Sequence, residues 1–226
     1  MQRILKRLEK QTSRLAFGPP ITCVYNPLTY ARSAHLTFWR RYGLPPKQVL
    51  LVGMNPGPWG MAQTGVPFGD VEKVSRWLNI HDPVDIPARQ HPKRPILGFN
   101  CRRGEVSGRR LWGWAESRFQ TPERFFKRFG VINYCPLVFM EVSGRNRTPD
   151  KLPAKEKDPL LRLCDEALLA LVRIIQPQYV VGVGKFAANR AEHCLSGLNL
   201  TVGAISHPSP ANPKANAGWV ELAEQE

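Results

Sequence analysis

Three short segments set a hydrogen-bonding side chain beside proline at the end of an apolar run. They are GMNPGPWGMAQTGVPFG, which carries Asn55, NYCP, which opens on Asn133, and HPSP, which opens on His207. The first packs five glycines and three prolines around one asparagine, one glutamine and two aromatics. A glycine-rich segment in that position suggests a phosphate cradle. Each proline, however, removes a backbone N–H donor, and the Gly-Lys-Ser/Thr ending of a phosphate loop is absent. Rigid, bare backbone of this kind better suits a pocket that admits something flat. The prolines end the strand ladder and fix the exit of the chain, so the two amides and the imidazole sit on stiff supports.

These segments follow apolar stretches of strand length at residues 49–54, 131–135 and 201–205, and a fourth stretch lies at 179–183. Their near-continuous hydrophobicity is that of strands covered on both faces, as in a parallel sheet. Helical candidates at 71–78, 122–129, 160–175 and 186–195 alternate with them. The expected fold class is therefore α/β: a three-layer α/β/α sandwich around a central, mostly parallel four-stranded sheet. Ligands of such sheets bind outside the carboxyl ends of the strands, which brings Asn55, Asn133 and His207 side by side.

Ahead of the sheet, residues 1–16 read as a basic helix with an Ile4, Leu5, Leu8 and Leu15 stripe, and 28–42 as a second helix. Residues 81–110 are rich in proline and basic side chains, and 139–159 are polar with three prolines; both read as surface excursions. The first carries Arg89, Lys93, Arg94, Arg102, Arg103, Arg109 and Arg110, which suit either a solvated loop or a surface that tracks a polyanion backbone.

A chain of 226 residues suits one domain. Its 32 Lys and Arg against 18 Asp and Glu give a net charge of +14, a field that draws nucleic acid. No apolar run reaches the ~18 residues of a membrane span, and the basic start lacks the apolar core of a secretory signal. The five cysteines are scattered with no C-x-x-C, as in a reducing intracellular compartment, and their spacing supports no metal or cofactor.

The blocks GMNPGPWGMAQTGVPFGDV, NYCPLVF and SHPSPANPKANAGW resemble, in order, the signatures of the single-strand-selective monofunctional uracil-DNA glycosylases, within the uracil-DNA glycosylase superfamily. The likeness runs from about Pro19 to Trp219. It implies a DNA glycosylase that hydrolyses the C1′–N1 bond of uracil and leaves an abasic site for base excision repair. Under that resemblance Asn55 orients the attacking water, where the most active members of the superfamily carry aspartate. His207 stabilises uracil O2 as the bond breaks. Asn133 reads N3–H and O4, Phe68 stacks on the everted ring, and Met54 contributes backbone groups. Gly57 stands where strictly uracil-specific relatives carry tyrosine, so the resemblance implies room for 5-substituted uracils such as 5-hydroxymethyluracil. Plainer alternatives stand beside these roles: Asn55 as a loop cap, Asn133 as a strand-end bond to backbone, Phe68 as a core aromatic.

Ser209, Pro210, Ala211, Asn212 and Lys214 fall in the stretch that fills the duplex and grips phosphates, although alanine replaces the family's usual arginine at Ala211. No strong acid or lysine nucleophile stands in the matched pocket, which suits a monofunctional enzyme. The partner implied is DNA, single-stranded and also duplex, with no membrane and a monomeric enzyme. The compartment is cytoplasm or nucleoid in a bacterium and nucleus in a eukaryote. Rivals are a cousin preferring xanthine, hypoxanthine or mismatched uracil, and a catalytically silent single-strand binder.

Overall fold

The sheet that organises the protein can be followed along the chain in the computed structural model, which describes residues 1–226. The elements run α1 (Gln2–Thr12), β1 (Ile21–Tyr25), α2 (Pro27–Tyr30), α3 (Arg32–Tyr42), β2 (Val49–Gly53), α4 (Met61–Thr64), α5 (Val71–Arg76), α6 (Val106–Phe119) and α7 (Pro122–Phe126). They continue with β3 (Phe129–Asn133), β4 (Val138–Glu141), β5 (Asn146–Arg147), α8 (Ala154–Ile175), β6 (Tyr179–Val183), α9 (Lys185–Leu195), β7 (Thr201–Ile205) and α10 (Pro213–Gln225).

Strands β3, β2, β6 and β7 hydrogen-bond in that order and all run parallel, so the four apolar stretches form the expected sheet. Leu50, Val52 and Val180 are wholly buried, which is why these strands read as continuous apolar runs. Helices flank the sheet in two packed groups: α1, α8 and α9 together, and α3, α5, α6, α7 and α10 together. A core of 40 buried residues links both groups to the strands. No helix is long and apolar enough to cross a membrane.

Five stretches differ from the sequence expectation. Strand β3 starts at Phe129, where a helix was expected to end. The Phe129 ring stacks on Phe125, with centroids 4.8 Å apart, inside an aromatic cluster that a helical pattern mimics. Residues 139–159 are not a surface excursion: Phe139 and Met140 are fully buried in β4, which joins β1 and β5 in a second, antiparallel sheet. From Ala154 the same stretch is already helix α8, which runs through Pro159 on its exposed side, where water can serve the carbonyl that loses its donor.

Residues 81–105 are irregular apart from one short 3-10 turn, yet they are pinned to the protein. His91, Ile96 and Cys101 are buried, and the Tyr25 hydroxyl donates to Arg94 O while accepting from the His91 N–H. Residues 106–110 belong to α6. The carboxyl-terminal helix α10, opened by Pro213 and anchored by buried Trp219, had no counterpart in the periodicity. At the other end, α1 stops at Thr12, short of residue 16, and buries Leu5 and Leu8.

Candidate active site

Gly53 and Asn133 are register partners at the carboxyl ends of β2 and β3. Beyond them the strand exits stay zipped: the Tyr134 N–H donates to Gly53 O (2.8 Å) and the Cys135 N–H to Met54 O (2.9 Å). His207 follows β7 by two residues. The three exits open on one cleft of about 410 Å³, bordered by Met54, Asn55, Gly57, Phe68, Asn133 and His207. Ser209, Ala211 and Asn212 also border it, whereas exposed Pro210 and Lys214 do not.

Each polar side chain is held on one side and open on the other. Asn55 Nδ2 donates to Leu137 O (3.1 Å), which fixes the amide and leaves Oδ1 without a protein donor. Its side chain caps no part of the loop that follows. Asn133 Nδ2 donates to Met61 Sδ (3.1 Å). Its Oδ1 and the Phe68 ring both occupy the space that a side chain at Gly53 would need. A Cβ at Gly53 would stand 2.6 Å from Phe68 Cζ and closer still to Asn133 Oδ1, so only glycine lets the base of the cleft form. Phe68 is buried among core residues and also lines the cleft. Its φ of 53° is a left-handed conformation that costs a non-glycine residue about 1–2 kcal/mol. Strain of that kind is held in place by its surroundings, as it commonly is at binding sites.

His207 Nδ1 accepts from the Ser209 N–H (3.0 Å), so in the neutral ring the proton sits on Nε2. Burial lowers its pKa to about 4, and at neutral pH the imidazole is an uncharged donor. The surrounding turn is fastened from several sides. Asn212 Nδ2 donates to His207 O, Arg110 Nη1 to Pro208 O, and Trp219 Nε1 to Ser206 O. Arg110 also holds Asn216 Oδ1, and Arg109 pairs with buried Asp70. These two arginines therefore serve the fold of the site. Next to Pro58, which borders the cleft, the guanidinium groups of Arg103 (4.8 Å) and Arg94 (5.0 Å) both lie over the Trp59 ring, a basic and aromatic surface suited to a nucleic-acid strand.

Several residues of the cleft escaped the sequence reading. Met61 holds Asn133. Asn146 Nδ2 donates to Pro56 O (3.0 Å) from the antiparallel sheet, and Ser107 and Thr148 border the opening. Glu105, the residue before α6, is the one acid. It also corrects the reading of Gly57. The space over that glycine is not open: a Cβ there would stand 2.6 Å from Glu105 Cδ.

A second buried histidine sets the pH response of the fold. His35 Nδ1–H donates to Gly65 O (2.7 Å) and Nε2 accepts from Trp39 Nε1–H (2.9 Å), so the neutral ring is fully satisfied and burial lowers its pKa to about 4. Unfolded, both rings take up protons below about pH 6.5; folded, they resist until about pH 4. Stability is thus complete above pH 6.5 and is lost as the pH falls towards 4. Urea midpoints measured between pH 7 and 5 should decline, with His35 costing about 1 kcal/mol between pH 6 and 5 and partly exposed His207 less. A flat midpoint across that window would refute neutral burial.

Comparison with known proteins places the chain in a family. Residues 41–223 match the model of the uracil DNA glycosylase superfamily. The chain is 47% identical over 221 residues to the single-strand selective monofunctional uracil DNA glycosylase of Mus musculus, a span covering 97% of this chain and 79% of the mouse protein. The proteins of the same description from Rattus norvegicus and Bos taurus are equally similar over 97% of this chain, covering 80% and 81% of their own lengths. The crystal structure of wild-type Pedobacter heparinus SMUG2 shares the fold, with a TM-score of 0.68 at 17% identity over 98% of this chain and 94% of that one. The chain belongs to the single-strand-selective monofunctional uracil-DNA glycosylase family of the uracil DNA glycosylase superfamily.

Proposed function

We propose that this protein is a monofunctional DNA glycosylase that hydrolyses the bond between uracil and deoxyribose in DNA and leaves an abasic site. The observation that carries the reading is the meeting of a free amide oxygen, a second amide and a neutral imidazole around one cleft at the carboxyl ends of the parallel strands. In this reading the everted base stacks on Phe68, a contact of roughly 1–3 kcal/mol. Asn133 accepts from N3–H through Oδ1 and donates to O4 through Nδ2, exchanging its weak bond to Met61 Sδ for a carbonyl. Cytosine presents the opposite pattern, and a polar site of this kind discriminates by ~10⁴–10⁵.

Bond cleavage leaves positive charge on the sugar and negative charge on the base. His207 Nε2–H donates to O2 as that charge develops, and the Met54 N–H, which has no acceptor within the protein, can add a second donor. Asn55 Oδ1 accepts a hydrogen bond from the water that captures the sugar cation. An amide is a very weak base, so the water is positioned and not deprotonated beforehand, which suits a largely dissociative path. The cleft has one acid, Glu105, and no lysine, so Schiff-base cleavage of the strand has no amine to start from.

DNA is the partner, and the site works on a base already out of the stack. Ala211 supplies no long side chain to push a base from a duplex. Substrates that evert cheaply, single strands and mismatches, are therefore favoured.

An end-labelled single strand bearing one uracil tests the reading. Incubation followed by hot alkali should cut at the uracil, and omission of alkali should leave the strand intact. Scission without alkali would overturn the monofunctional assignment. Gel retardation with no uracil-dependent scission would make the protein a binder.

A further inference from the structure

The arginines of the basic stretch divide by what holds their guanidinium groups. Arg89 Nη2 donates to Thr22 O, Arg109 pairs with Asp70, and Arg110 is spent on Pro208 O and Asn216 Oδ1. Arg94 and Arg103 are held differently. None of the protein's eight ion pairs includes either one. Each lies instead over the half-buried Trp59 ring, so two positive charges stand within 5.0 Å of one ring centre. Arg94 reaches the ring from a backbone fastened on both sides: its N–H donates to His91 O (2.9 Å) and its carbonyl accepts from the Tyr25 hydroxyl (2.6 Å). The guanidinium lies against Gly144, where φ is 84° and a Cβ would stand 3.3 Å from Arg94 Cζ. Its one side-chain hydrogen bond runs from Nη1 to Lys93 O (2.7 Å), and Nε is enclosed with no acceptor. Arg103 is exposed and follows buried Cys101 by two residues.

An aromatic face attracts a cation but leaves most of its N–H groups unbonded, so both guanidinium groups keep donors to spend. Like charges gathered on one ring also repel, and no carboxylate is paired to either. An anion bound by both removes that cost and satisfies the free donors. Trp59 follows Pro58, which borders the cleft, so the ring stands one peptide unit, about 3.8 Å along the chain, from the opening. We infer that Trp59, Arg94 and Arg103 form a phosphodiester clamp: the ring holds the two guanidinium groups in place, and they grip one phosphate of the DNA strand close to the everted nucleotide. The inference rests on the proposed function, which supplies the strand. A base stacked on Trp59 would have to displace the guanidinium groups, so the phosphate is the part of the strand held here. The clamp also gives Ala211 a counterpart: grip on the strand comes from this side of the cleft.

Single-turnover excision from a single strand bearing one uracil, with enzyme titrated in excess, gives a half-saturating concentration and a rate at saturation. Each protein is checked for folding by thermal melting. Arg94→Gln and Arg103→Gln should each raise the half-saturating concentration at least about fivefold and reduce its log–log salt slope by about 0.7. The loss should fall on that concentration and not on the rate at saturation. Arg94→Lys keeps the charge without the fork and should still raise it at least about threefold. Trp59→Leu, with both arginines present, should do the same. Arg162→Gln, exposed on α8 and in no ion pair, is the reference for loss of one charge and should move it less than about twofold. An uncharged methylphosphonate then replaces, in turn, each of the two phosphates on either side of the uracil. At one position it should weaken wild type while leaving Arg94→Gln nearly unaffected, as touching partners require. Arginine losses no larger than that of Arg162→Gln would overturn the clamp, as would additive losses at every position or wild-type binding by Arg94→Lys. If Trp59→Leu does not fold, the exposed Arg103 and the methylphosphonate series decide the matter alone. A wild type inactive on uracil would instead overturn the proposed function.

Discussion

Asn55→Ala is expected to lower the single-turnover rate of uracil excision at least about 10²-fold, with DNA affinity changed less than about threefold. The side chain makes one hydrogen bond to the protein, from Nδ2 to Leu137 O, so its removal costs the fold little and costs the cleft its free Oδ1. That oxygen is the acceptor assigned to the attacking water. Without it, water still reaches the sugar but spends little time in line with C1′, and positioning of this kind contributes several kcal/mol in well-oriented reactions. The loss should fall on the chemical step because Asn55 is assigned to the attacking water, whereas the strand is expected to be gripped by the basic surface at Trp59 and the exposed loop at Pro210. A single-turnover experiment with enzyme in excess separates the two quantities. Wild-type rates in the alanine variant, or a loss confined to affinity, would remove Asn55 from the reaction.

Much of this site is legible in the sequence because its strands are buried on both faces. The apolar runs at β2, β3, β6 and β7 announce themselves without homologues, and the rule that ligands sit at carboxyl ends then gathers Asn55, Asn133 and His207. The antiparallel sheet was not legible, because β4 spans four residues between Pro136 and the polar turn at Ser143, and β5 only two. Asn146 and Thr148 went with it.

Glu105 was hidden for a different reason. It lies 50 residues from Asn55, between an arginine-rich stretch and a helix whose start carries no capping signal. Nothing local marks it as part of the cleft. Gly57 shows the same limit from the other side. A glycine reports that something comes close to the backbone but not what it is. Sequence alone allowed an empty space where the structure has a carboxyl.

His207→Ala should cost the excision rate at least about 10²-fold, and the pH dependence of that loss carries more information than its size. A preorganised donor aimed at a developing oxyanion is worth roughly 3–4 kcal/mol. The tautomer fixed by the Ser209 N–H makes Nε2–H that donor without any added proton. Since burial holds the ring's pKa at about 4, the neutral donor is fully present from pH 5.5 upward. The wild-type rate should therefore show no step assignable to an imidazole between pH 5.5 and 8, and the ratio of wild-type to alanine rates should be constant across that range. A charged ring would behave otherwise: the wild-type rate would climb as the pH fell through about 6.5, and the ratio would climb with it. Such a climb would require His207 to be protonated in the complex, which the phosphates of bound DNA could promote, and it would replace the neutral donor with a cation. Full activity of the alanine variant at every pH would leave the imidazole with a structural role, holding the turn through Ser209 and Asn212.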